Sequence, residues 1–134
     1  MDMSFLDEKI QQQTADTNAF INKMSKDEIA FLIKCYKYLR VLGLVKNQVQ
    51  FSEQYLCRSK DYMSLIQTTD RIPSIDCLHN LINAMRETNI LYEGKNHTIE
   101  NNINNLIAEG LNFITRRLLK YMDNSKTKKM YFVS

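Results

Sequence analysis

Two histidines and three cysteines are the residues of this 134-residue chain best suited to acid–base, nucleophilic or metal chemistry, and their spacing supports none of these. His79 and His97 have no second ligand four positions on and no serine or cysteine motif beside them;. Cys35, Cys57 and Cys77 lack CxxC spacing and are odd in number, so the expectation is three buried, reduced thiols;. With three glycines in all, no glycine-rich loop exists to cradle a phosphate;. The sequence names no catalytic residue, no metal site and no cofactor, and the reading is of a protein that is not an enzyme.

What remains is the chemistry of charge and hydrogen bonding at a surface. The net charge of +3 is small, but it is unevenly placed. Between Arg116 and Lys129 six basic residues (Arg116, Arg117, Lys120, Lys126, Lys128 and Lys129) face one acid, Asp123;. The stretch from Lys26 to Lys60 is also basic, while Met1–Met24 and Asp61–Glu93 lean acidic. Such runs suit a polyanion, although a solvated helix face has the same composition.

The elements that must position these groups are helical. A chain of this length fits one domain with a core of its own. One proline and few glycines, with abundant Leu, Ile, Met, Lys, Asn and Glu, predict an all-α fold;. No apolar run is long enough for a signal peptide or a membrane span, so a soluble, cytoplasmic protein without membrane contact is expected.

Residues 1–24 read as an N-terminal helix or arm. Ser25 and Glu28 form a capping-box signature opening a helix to about Leu42, closed by Gly43;. That helix carries two apolar stripes, one of Ile29, Leu32, Ile33, Tyr36 and Leu39 and one of Phe31, Cys35, Tyr38 and Leu42. It is either central to the fold, or its second face meets the N-terminal helix or another subunit. Short helices follow at about Val49–Cys57, Lys60–Thr68 and Ser74–Glu87, the last with Leu78, Leu81, Ile82 and Met85 as a buried stripe;. His79, next to that stripe, belongs at its boundary or on the surface. After a turn at Glu93–Asn96, Thr98 is the expected cap of a final helix to about Met122. Its inner face would be Ile99, Ile103, Leu106, Ile107, Ile114, Leu118 and Tyr121. The organisation is an arm (1–24), a helical domain (25–88), a C-terminal helix packed on it (98–123) and a basic tail (124–134).

The block Asn47–Met85 concentrates the functional signal. Leu56, Met63 and Ile66 would wedge two short helices together, and Ser59 would cap the second so that its first turn projects. Its outward side chains would be Lys60, Asp61, Tyr62, Ser64 and Leu65, on a helix of the width the DNA major groove admits. Asp61 would meet phosphate unfavourably unless it accepts from a cytosine amine or pairs with Lys60 or Arg58. Leu65 could touch a thymine methyl or a protein partner.

This block resembles the helix-turn-helix of the lambda and Cro repressor superfamily. The residues that carry the resemblance are Phe51-Ser52 and Leu56 in the scaffold helix, and Ser59, Met63-Ser64 and Ile66 in the recognition helix. Pro73, Ser74, Leu78 and Leu81 match at the entrance to a buried fourth helix. It is also similar to small bacterial helix-turn-helix proteins with Leu-Gly-Arg-Ser followed by Tyr and a later Pro-Ser, which Leu56, Arg58, Ser59, Tyr62, Pro73 and Ser74 match. The resemblance implies a DNA-binding regulator of bacterial or phage kind, dimeric on double-stranded DNA. Lys60, Asp61, Tyr62, Ser64 and Leu65 would face the bases. Asn47, Gln48, Arg58, Ser59 and Arg71 would meet the backbone, with Arg116, Arg117 and Lys120 added by the C-terminal helix. Where the family has a turn glycine this chain has Cys57, which implies left-handed backbone there. The competing reading is a protein-interaction module, such as a phage-encoded inhibitor or adaptor, built on the same helices. Five basic residues against four acidic ones over Lys46–Arg86 keep that reading open.

Overall fold

The computed structural model describes the backbone of residues 23–132 and the side chains of residues 23–120 and Met122. All their regular structure is helical: α1 (residues 23–41), α2 (Gln48–Gln54), α3 (Tyr62–Thr69), α4 (Ile75–Ile90) and α5 (His97–Phe132). Among the described residues there is no strand, and no helix is long and apolar enough to cross a membrane. Apart from Lys23 and Met24, which belong to α1, the arm expected over residues 1–24 lies outside the described residues.

Helix α1 is the central element, because both of its apolar stripes are used within the chain. Ile29, Leu32, Tyr36 and Leu39 are buried on one side and Phe31 and Cys35 on the other. Phe31 packs against Phe113 of α5 with ring centroids 5.4 Å apart, and Tyr36 meets Phe51 of α2 edge-on at 5.6 Å;. The helix stops where expected. Gly43, at φ +77°, donates to the Arg40 carbonyl, and Leu44 donates to Leu39, the paired bonds of a Schellman motif that favours glycine at the left-handed position;.

The expected capping box is not formed. Helix α1 is already running at residue 23, so Ser25 and Glu28 stand inside it, and both are buried. The Ser25 hydroxyl donates to the Asp70 carbonyl at the end of α3 (2.6 Å), and Glu28 accepts from Arg117 of α5. The signature is local; the partners that claim these side chains lie 45 and 89 residues away.

Ser74, placed by the sequence at the entrance to this helix, caps α4, its hydroxyl accepting from the Cys77 N–H (3.1 Å), and Leu78, Leu81, Ile82 and Met85 are buried as expected;. Helix α4 runs past the expected Glu87 to Ile90, with no breaker before Gly94. The cap of α5 is Asn96 rather than Thr98: its side-chain oxygen accepts from the Ile99 N–H (3.1 Å). Ile103, Leu106, Ile107 and Ile114 of α5 enter the core as expected, joined by Phe113. Gly110 lets α5 approach both neighbours, since a Cβ there would stand 3.1 Å from Phe31 and 3.2 Å from Ile82. Leu118, expected in the core, is exposed instead; it lies a turn beyond Ile114, the last α5 core residue among those described. The expected end near Met122 also moves. With no Gly or Pro after Gly110 to stop it, α5 continues to Phe132, and the backbone of the expected tail is an extension of the helix;.

The Glu28–Arg117 ion pair joins the two ends of the domain. Arg117 donates from Nε to Glu28 (2.8 Å) and from Nη2 to the other carboxylate oxygen, and Glu28 is fully buried;. Burial drives the Glu28 carboxyl above its ordinary range, and Arg117 pulls it only part of the way back;. A raised pKa in the folded state means that protonation favours folding at this group, so its contribution falls as pH rises through that pKa. Arg117→Met strands the carboxylate and raises its pKa further. The expected cost is about 3–5 kcal/mol at neutral pH. The deficit relative to the parent chain should shrink as pH is lowered towards 5, measured by urea unfolding; a pH-independent deficit would mean that the pair does not hold a charged Glu28.

Candidate nucleic-acid interface

The two short helices and their turn are built by local bonds. Asn47 caps α2 by accepting from the Gln50 N–H (2.9 Å), and the Gln50 side chain accepts in return from the Lys46 N–H (2.7 Å);. Helix α2 ends at Gln54, short of the expected Cys57. The chain then winds more widely, with the Leu56 N–H on the Phe51 carbonyl (3.2 Å) and the Arg58 N–H on that of Ser52 (2.9 Å). Between them Cys57 adopts φ +52°, the left-handed geometry expected of it;. Its side chain is exposed, against the expectation of burial, whereas Cys35 and Cys77 are buried and all three are free thiols.

Buried contacts clamp the turn. Leu56, Met63 and Ile66 are all in the core, as the spacing predicts. The buried Ser52 hydroxyl accepts from the Met63 N–H (3.3 Å), tying α2 to α3, and the Asn80 amide of α4 donates to the Leu56 carbonyl (3.0 Å). At its far end α3 closes on Asp70, itself left-handed at φ +50° and held by Ser25.

The cap expected at Ser59 is displaced. Residues 59–61 form a turn in which the Ser59 carbonyl accepts from the Tyr62 N–H (3.1 Å), and Asp61 occupies the N-cap position without a side-chain bond to the helix. Lys60, Asp61, Ser64 and Leu65 are exposed, forming the outward edge of α3.

Tyr62 does not join that edge. It is half-buried, and its hydroxyl accepts from the Ser74 N–H (3.2 Å) beside the thiol of Cys77. Burial holds the Tyr62 phenol above its usual range and pushes the Cys77 thiol up to about 11, so both stay protonated near neutral pH;. The Arg58 guanidinium lies 6.0 Å over the Tyr62 ring and donates to the Ser74 hydroxyl (2.8 Å);. The two residues expected to face base and phosphate are therefore engaged with the entrance of α4.

Arg117 is a further correction: its guanidinium is committed to Glu28 and cannot also serve a phosphate. The other named residues lie on the surface. Asn47, Ser59, Arg71, Arg116 and Lys120 are exposed and Gln48 is half-buried as the first residue of α2, although the Asn47 oxygen is occupied by its cap. Arg116 reaches over the Phe113 ring at 5.5 Å. Around α3 the charges of Lys60 and Arg71 are offset by Asp61 and Asp70. His79 is exposed, as expected at the boundary of the α4 stripe. Ser52, Asn80 and Asp70 position the edge and were not assigned that role from sequence. Asp70 is the one with a local signal, being a residue type that tolerates left-handed backbone ahead of a loop.

Fold and site together define an all-helical domain in which a short helix, held by its neighbours at both ends, presents a small polar edge. The chain belongs to a family of unknown function (DUF6626), whose model matches residues 32–112. That span takes in the second half of α1, all of α2, α3 and α4, and α5 as far as Asn112. No curated protein and no solved structure matches the chain.

The left-handed Cys57 yields a direct test. Cys57→Gly relieves the Cβ at φ +52° and should stabilise the fold by roughly 1 kcal/mol, or at worst leave it unchanged;. A β-branched Cys57→Val should destabilise it. Thermal unfolding of the two variants, with opposite shifts in midpoint, checks the turn geometry.

Proposed function

We propose that this protein is a cytoplasmic, sequence-specific DNA-binding regulator that presents the exposed edge of α3 to the major groove in the manner of repressor helix-turn-helix proteins. The observation that supports it most is the two-sidedness of α3. Met63 and Ile66 are sealed in the core while Ser64 and Leu65 project from the same short helix, and Lys60 and Asp61 project from the turn that leads into it, after left-handed Cys57;. Lys60 would reach a guanine edge or a phosphate, Ser64 a base edge, and Leu65 a thymine methyl. Gln48, Ser59 and Arg71 would meet the backbone, with Arg116 and Lys120 adding attraction from α5. Acting as a homodimer, the protein would address two half-sites.

A second reading has its own support. Leu65 is 44% exposed in the middle of that edge, and the acids beside Lys60 and Arg71 cancel their charge. Such an edge also suits a protein partner, gripped through Leu65. Salt separates the two, because phosphate contacts weaken steeply as salt rises and an apolar contact does not.

Selection of bound sequences from random duplex DNA at moderate salt, followed by filter binding, tests the DNA reading. Lys60→Ala should cost about 1–3 kcal/mol on the selected site. Arg116→Ala should weaken specific and non-specific DNA alike and flatten the salt slope by up to about one. If no sequence is enriched and Lys60→Ala changes nothing, the protein-partner reading replaces it.

A further inference from the structure

The densest exposed charge on α1 lies on one face, apart from the edge of α3. Lys23, Lys26, Lys34, Lys37 and Arg40 are all exposed. At 3.6 residues per turn the four lysines fall within about 80° of the helix wheel, with Arg40 just beyond. Their one exposed counter-charge on the helix is Asp27, because Glu28 is buried against Arg117. Five against one leaves an excess of four, larger than the net charge of +3 of the whole chain. Lys34 is engaged by Glu109, whereas Lys23, Lys26, Lys37 and Arg40 make no ion pair with a described residue.

The side chains around these charges decide which anion fits. Both apolar stripes of α1 are used within the chain, which leaves no apolar face to enter a lipid surface as an interfacial basic helix does;. Protein interfaces are built round aromatic and apolar anchors and are poor in lysine, and this face exposes only Ala30 and Val41 between its charges;. Single-stranded nucleic acid needs exposed rings on which bases stack, but Phe31 and Tyr36 are buried and Tyr38 is half-buried;. Cationic donors on a straight helix suit the backbone of a duplex. Apart from Asp27 they include no side-chain acceptor for the 2′-hydroxyl that marks RNA;. From Lys23 to Arg40 the face is about 26 Å long, over which each strand of a DNA duplex presents about seven phosphates. One end adjoins α3: Ser25 donates to the Asp70 carbonyl, so Lys26 and Arg71 each stand one residue from that bond.

We propose that the basic face of α1 binds the phosphate backbone of duplex DNA without regard to sequence, supplying the charge attraction that the edge of α3 lacks. The choice of DNA rests on the reading of the chain as a DNA-binding protein; the placing of the contact on α1 follows from the charge distribution.

Fluorescence anisotropy of the full chain on a labelled duplex of random sequence, over a series of salt concentrations, is the test. The double variant Lys26→Gln/Lys37→Gln lowers the net charge by two, and Lys95→Glu, at an exposed position in the turn between α4 and α5, lowers it equally. The α1 variant should bind at least about tenfold more weakly and flatten the salt slope by up to about two, while Lys95→Glu leaves both nearly unchanged. Far-UV circular dichroism establishes that each variant is folded, and Lys37→Gln alone, with half the change in slope, serves if the double variant is not. Equal losses in the α1 variant and Lys95→Glu mean a general charge effect and overturn the placing on α1. Binding that the α1 variant does not weaken overturns it too, and the reading of α3 stands if Lys60→Ala still weakens the selected site. Weakening by the α1 variant with no effect of Lys60→Ala upholds the contact and removes the sequence-specific reading. Absence of duplex binding by the parent chain removes both. Polyglutamate, phosphatidylserine vesicles or an RNA duplex competing as well as unlabelled DNA duplex overturns the choice of DNA.

Discussion

Helix nucleation is costly, and helices of seven or eight residues do not persist alone in water. Helices α2 and α3 are of that length, so the polar edge of α3 exists only because other elements hold it. Apolar burial of Phe51, Leu56, Met63 and Ile66 supplies most of that hold;. Directional bonds fix the geometry: Ser52 on the Met63 N–H, Asn80 on the Leu56 carbonyl and Ser25 on the Asp70 carbonyl. These reach α3, or the turn that leads into it, from three different helices. Holding both ends of so short a helix turns a marginal local structure into a fixed platform.

The same requirement draws functional-looking side chains inward. Arg58, Tyr62 and Ser74 form one cluster at the start of α4, and Arg117 is matched to Glu28 across the width of the domain. A guanidinium is a planar fork that matches a carboxylate or stacks on a ring, which suits it to such internal work better than the point charge of a lysine. Lys60 and Lys37 remain exposed, and Lys34, also exposed, makes a surface pair with Glu109 at 3.0 Å. Surface pairs of that kind contribute little, whereas loss of one partner of the buried pair leaves a charge without compensation.

Periodicity made the core legible in the sequence. The stripe Leu78, Leu81, Ile82 and Met85 and the wedge Leu56, Met63 and Ile66 follow from spacing alone, because an apolar side chain at i, i+3 or i+4 has one face on which to bury. Helix ends were legible where the signal is local, as at the Ser74 entrance of α4 and the Gly43 stop of α1. They were misread where a distant group competes: nothing near Glu28 announces Arg117, and nothing near Ser25 announces Asp70. Leu118 shows the converse limit. Its spacing continues the inner face of α5, but a stripe says nothing about where the elements it packs against come to an end. Of the candidate site, Lys60, Ser64 and Leu65 were readable because a helix with a buried face must have an exposed one. Tyr62 was not, since its hydroxyl bonds to a backbone group twelve residues away.

What is left outward sets what the edge of α3 can discriminate. The strongest base readers in a major groove are bidentate: arginine on guanine, asparagine or glutamine on adenine. The exposed edge has none of these. Its nearest amide, Gln67, is half-buried with Nε2 shielded from solvent. On DNA, Lys60 would read guanine with a flexible point charge, Asp61 could accept from cytosine only beside repelling phosphates, and Leu65 would distinguish thymine by its methyl group alone. Each such contact is worth less than a bidentate pair, so a single copy of this edge would separate sequences weakly. Discrimination of an operator would then have to come from two edges acting on two half-sites, where modest preferences add in free energy and so multiply in affinity. If the edge of α3 reads DNA, the spacing of two copies would matter as much as the residues of α3.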